Sequence, residues 1–110
     1  DWSIRGLKVS SMVIPEDITD LRTSILAACP ELTSVELPST LTQIWIYALS
    51  SDPKLKTVTC KAANPPAIPA GAHVFKNVPL ASATLRVPAG SKALYQAAEG
   101  WEDFGTIVEY

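Results

Sequence analysis

Few side chains in this 110-residue sequence are of types that do chemistry: one histidine, His73, and two cysteines, Cys29 and Cys60. A Ser–His–Asp or Cys–His centre would have to use His73, and no nucleophile elbow or base–orienter pairing accompanies it. His73 reads as a turn residue and the chain as a non-enzyme. A zinc site from Cys29, Cys60 and His73 lacks the close-paired spacing such sites use. Asp52, Glu99, Glu102 and Asp103 do not follow a calcium-loop pattern. No glycine-rich phosphate loop occurs, and Ala89-Gly90-Ser91 reads as a turn with a helix cap. No metal or cofactor is therefore expected. Two cysteines are too few for a disulfide scaffold, and both read as unpaired buried thiols acting as small apolar side chains.

The elements that carry these residues repeat. Val9-Ser-Ser-Met12-Val-Ile14-Pro15 aligns with Leu32-Thr-Ser-Val35-Glu-Leu37-Pro38 and with Leu55-Lys-Thr-Val58-Thr-Cys60-Lys61, each 23 residues after the last. A fixed period of this size marks a solenoid, in which each unit buries its apolar edge only against its neighbours. The alternation in each unit is a strand signal. It predicts a four-stranded sheet near 11–14, 34–37, 57–60 and 84–87, paired in chain order. Met12, Val35, Val58 and Leu85 face the core, as do Ile14, Leu37, Cys60 and Val87. Ser11, Ser34, Thr57 and Thr84, then Val13, Glu36, Thr59 and Arg86, face the other way, into water. Pro15, Pro38 and Pro88 end three of the four strands, because proline cannot donate a ladder hydrogen bond.

A second apolar set follows each proline: Ile18-Thr19-Asp20-Leu21, then Leu41-Thr42-Gln43-Ile44. In the first unit, Pro15–Cys29 also has near-helical spacing, so a short helix stays open there beside strand-plus-turn. The third unit carries an insertion at 64–69, stiffened by Pro65, Pro66 and Pro69, before Val74-Phe75 recovers the place of Ala48-Leu49. Residues 1–8 read as an edge-covering segment or the remnant of a further repeat, 9–88 as the repeats, and 89–110 as a cap. In the cap, Ser91 is the expected N-cap of a helix from Lys92 to about Ala98. Leu94, Ala97, Ala98 and Trp101 would form its apolar face, with Gly100 as a left-handed stop and Thr106–Glu109 as a closing strand. The fold class is thus an α/β repeat: a small solenoid of short parallel strands with a helix-plus-strand cap.

Charge and hydropathy narrow the partners. Net charge is −2 with no Lys/Arg run, which speaks against nucleic acid and anionic membrane. The longest apolar runs, Ile44–Leu49 and Ile25–Cys29, are far below the roughly 20 residues of a membrane span. The chain begins at Asp1, which suits a processed or excised fragment. Tyr47 and His73 occupy equivalent places in adjacent repeats and Trp45 lies two residues from Tyr47, so the three either form an aromatic binding surface or Trp45 and Tyr47 pack on the terminal helix or proline loop. Glu36 and Arg86 on the outer sheet face complete the candidate partner-binding residues.

The pattern L-x-x-V-x-L-P-x-x-L-T-x-I, followed by A-L or V-F, resembles the BspA-like leucine-rich repeats of bacterial surface proteins. The tail VPAGSKALYQAAEGWEDFGTIVE resembles the segment that ends such chains, and Lys61-Ala-Ala-Asn-Pro-Pro is similar to their penultimate repeat. The family glycine after T-x-I is Arg22 and Trp45 here, kept only as Gly71, and its cysteine is kept at Cys29 but is Asp52 and Val78 elsewhere. The resemblance implies a secreted or cell-surface, non-catalytic leucine-rich-repeat module for adhesion or binding, with a protein, host-matrix or glycan partner. The alternative is a purely structural terminal unit of a longer repeat protein whose binding surface lies elsewhere.

Overall fold

A computed structural model describes residues 10–22, 28–45, 48–50, 52–68, 74–76 and 78–110. The expected N-terminal segment, 1–8, lies outside them. The described chain winds as a small solenoid of parallel strands. Strands β1 (Ser11–Val13), β3 (Ser34–Leu37), β5 (Thr57–Cys60), β6 (Thr84–Val87) and β7 (Thr106–Glu109) form one five-stranded sheet in the order β1-β3-β5-β6-β7. Every pair is parallel, and Met12, Val35, Val58, Leu85 and Ile107 lie in one register column. The four strands read from the repeat are present in chain order, and the closing strand adds a fifth rung.

A second ladder runs through β2 (Asp20–Leu21) and β4 (Gln43–Ile44), also parallel. In the first unit the chain is therefore extended at Asp20–Leu21, not helical. The proline-stiffened loop supplies a third rung, because Ala67 bridges Gln43 and its N–H donates to the Thr42 carbonyl at 2.9 Å. Backbone bonds also link the turns at the far corner, where Ala28 N–H bonds the Ser50 carbonyl (3.0 Å) and Leu49 N–H bonds that of Val74 (3.0 Å). Tight turns join the ladders: the Pro15 and Pro38 carbonyls accept from the N–H of Ile18 and Leu41 three residues on, both at 3.2 Å.

Period-two alternation on the main sheet and Leu21 and Ile44 on the small one send apolar side chains into a single core. Val35, Leu37, Val58, Cys60, Leu85 and Val87 are buried, and Met12 at the edge only partly. Thr59 departs from its expected open position: Arg86 from the next strand reaches across it (Nη1 to Oγ1, 3.4 Å), and it is buried.

The cap differs from the helical wheel. Helix α1 is one short stretch, Lys92–Gln96, and its buried residue is Tyr95. Leu94, expected inside, is 48% exposed, and Ala97 is exposed too. The helix turns out after Gln96, so the spacing from Leu94 to Trp101 does not describe one continuous face. Tyr95 goes inside because its polar end is satisfied there: its hydroxyl donates to the Ala62 carbonyl at 2.7 Å and meets Cys60 Sγ at 3.2 Å. Trp101 is fully buried, and its Nε1–H donates to the Pro66 carbonyl (3.0 Å). Phe75 and Phe104 pack edge-on to one another (5.2 Å) and close the cluster around Trp101. Ser91 stands at the N-cap of α1 as expected, but its hydroxyl makes no capping bond and donates to the Ala63 carbonyl (2.8 Å). The Glu109 carboxylate instead accepts from the Gly90 and Lys92 N–H groups at 2.9 and 3.2 Å, tying β7 to the start of the helix. Gly100 has φ +89°, the left-handed conformation expected of it.

Candidate functional site

The outward face of the five-stranded sheet is built from two register columns. Ser11, Ser34, Thr57, Thr84 and Thr106 form an in-register row of hydroxyls across all five strands. Two positions further along each strand come Val13, Glu36, Thr59, Arg86 and Val108, in the same register. Short β-branched and hydroxylated side chains suit a pleated surface in water, so this face needs no cover to be stable.

Longer side chains on that face hold one another in place. Lys61 lies where Pro15, Pro38 and Pro88 end the other strands, and its ammonium sits 3.0 Å from the Glu36 carboxylate and 3.8 Å from that of Glu16. The hydrogen bond and charge of Glu36 raise the Lys61 pKa above the ordinary lysine value. Glu16 is held below the usual carboxylate range, chiefly by the Ser39 hydroxyl, with help from the Ser39 N–H and Lys61. On the next strands, the Arg86 guanidinium lies 5.3 Å from the centroid of the Tyr110 ring while reaching back to Thr59. Exposed ion pairs of this kind add little to stability. Their effect is to present Glu36, Lys61, Arg86 and Tyr110 in one arrangement.

Trp45 belongs to the other ladder. Its backbone N–H donates to the Leu21 carbonyl at 2.9 Å, continuing the pairing of β2 and β4 by one residue. Its ring is 43% exposed, and its Nε1–H donates to Asp20 Oδ2 at 3.2 Å. Beside it opens a shallow cleft of about 420 Å³ lined by Asp17, Ile18, Thr19, Asp20, Arg22 and Trp45. Glu36 and Arg86 thus share one sheet face, two strands apart, whereas Trp45 sits on a different sheet. Tyr47 and His73, the other expected members of the aromatic surface, lie outside the described residues.

Two features escaped the sequence. Lys61 and Tyr110 complete the outward network, and the signal for Lys61 was its place in a column of strand-ending prolines. Asp52 is a fully buried carboxylic acid in the column that holds Cys29 one repeat earlier. Its Oδ1 accepts the Cys29 N–H at 2.8 Å, its Oδ2 has no hydrogen-bond partner among the described residues, and burial pushes its pKa up to about 7. Both cysteines are buried, and burial raises the Cys60 thiol above its ordinary value. Among the described residues, no group of three His, Cys, Asp or Glu side chains is placed to hold a metal ion. Nor, among them, is any helix long and apolar enough to cross a membrane.

No protein-family model matches the chain, and no curated protein matches it either.

Proposed function

We propose that the chain is a non-catalytic binding or adhesion module of an extracellular or cell-surface leucine-rich-repeat protein, engaging a protein or host-matrix partner across the outward face of its five-stranded sheet. The observation that supports this most is the cross-strand set Glu36, Lys61, Arg86 and Tyr110, fixed against one another before any partner arrives. A face organised in advance loses less side-chain freedom on binding. Arginine and tyrosine are also among the residues on which interface energy concentrates. The resemblance of the repeats and tail to BspA-like surface proteins supports the setting and the adhesive role.

The second reading is a structural terminal unit of a longer array, with binding carried by other repeats. What favours it is the asymmetry of the stack. Helix α1 and its aromatic cluster close the β7 end, while among the described residues no strand pairs with the outer edge of β1. A binding screen of the 110-residue chain against immobilised host-matrix proteins and glycans separates the two. A retained binder is expected; a chain that binds nothing in the panel, while a longer piece of the same array does, would favour the structural unit.

A further inference from the structure

We infer that the cleft beside Trp45 is a carbohydrate site, which takes one neutral pyranose unit of a glycan against the indole ring. A pyranose offers an apolar C–H face and a rim of hydroxyls that each donate and accept. It is therefore matched by a flat aromatic surface bordered by charged hydrogen-bonding groups. The cleft has these parts. Among the described residues, Trp45 supplies its aromatic surface, and Asp17, Asp20 and Arg22, residues that carry two carboxylates and a guanidinium, also line it. Its volume of about 420 Å³ falls in the range of small-molecule sites, roughly 300–1,000 Å³.

The ring is positioned before a ligand comes. Asp20 Oδ2 holds the indole N–H at 3.2 Å, and the Trp45 N–H is tied to the Leu21 carbonyl at 2.9 Å. Both tethers belong to the rungs of the β2–β4 ladder, so the site is built on paired backbone and not on a free loop. A tryptophan fixed in this way keeps a large contact area while losing little conformational freedom on binding. A cationic side chain is the other group that an indole and two carboxylates attract. It is disfavoured here because Arg22 places a like charge on the same cleft. A wholly apolar ligand is disfavoured because, among the described lining residues, Ile18 is the sole aliphatic side chain and is half-buried. The cleft is on the small sheet, away from the face proposed above, so either assignment can fail without the other.

The test uses the whole ¹⁵N-labelled chain. The protein has three tryptophans, hence three indole N–H resonances, with Trp45 assigned by its loss in Trp45→Phe. The probes are the methyl pyranosides of glucose, galactose, mannose and N-acetylglucosamine and their disaccharides, at millimolar concentration, with lysine and arginine amides as cationic comparators. At least one saccharide should shift the Trp45 indole saturably and leave that of Trp101 in place, since the latter is buried against Pro66. Asp17→Asn, a change in an exposed turn, should weaken that saccharide about tenfold or more, which is about 1.4 kcal/mol. No saccharide shifting Trp45, a shift produced by the cationic amides alone, or full affinity in Asp17→Asn would each overturn the assignment.

Discussion

Trp101 is the side chain on which the closed end of the stack depends most. It is fully buried, bonds Pro66 across the repeats, and meets Tyr95 and Phe75 edge-on at 5.3 and 5.7 Å. Trp101→Ala should cost about 3–5 kcal/mol, read as a lowered midpoint in chemical denaturation, since it empties a large site and orphans a buried carbonyl. Asp52 acts in the opposite sense. Its pKa is raised from 3.8 to about 7 on folding, so between those values the folded chain keeps a proton that the unfolded chain has released. Its contribution therefore favours the fold below about pH 4, weakens as pH rises towards 7, and is flat above. The span is about 4 kcal/mol at most. Asp52→Asn keeps an acceptor for the Cys29 N–H and should flatten that part of the stability–pH curve. An unchanged slope between pH 4 and 7 would show that Asp52 does not titrate in this way. Asp52 was visible in the sequence only as a departure from the cysteine column. Nothing in the residue string says that a carboxyl in that place has one oxygen bonded and the other with no partner among the described residues.

At the scale of elements, the parallel strands were legible because a solenoid makes its long-range contacts at one fixed separation. Thr33 N–H reaches the Ser10 carbonyl and Lys56 that of Thr33, each 2.8 Å and 23 residues back, and the alternation around them sets which side is inside. The cap lacks this redundancy. Its facing depends on where a single short helix stops, and the stop after Gln96 moves Tyr95 inward and Leu94 outward. The anchoring of the helix start by Glu109 links residues nearly twenty apart that share no repeat, and no pattern announces it. The same bonds show why the cap acts as one element. A chain stopped at Gly90 loses α1, β7 and the ring cluster together, leaving the β6 edge and the core beneath it open. Open edges of this kind recruit other chains. That truncation should aggregate in light scattering or lose cooperative unfolding; a monomer with an unchanged midpoint would make the cap an appendage.

The described residues form two parallel sheets around one core, with a wide polar face on the larger and a tethered tryptophan beside the smaller. Glu36 and Arg86 could be placed on one face from the repeat columns alone. Their organisation could not, because it comes from Lys61 and Tyr110, which belong to strand ends where the repeats differ. For Trp45 the sequence left an exposed and a packed position both open, and it did not join the ring to Asp20, since that pairing crosses from one unit to the next through a two-residue strand. The proposed binding of a partner by the outward sheet face can be tested directly. The direct measurement is the Kd of the partner retained in the screen for the wild-type chain and for Glu36→Lys/Arg86→Glu, with thermal unfolding of both in parallel. The account predicts a loss of at least about 30-fold in affinity, the scale of a 2 kcal/mol hot spot, with melting nearly unchanged because these side chains are on the surface. Equal affinity in the two chains, with both folded, would contradict it.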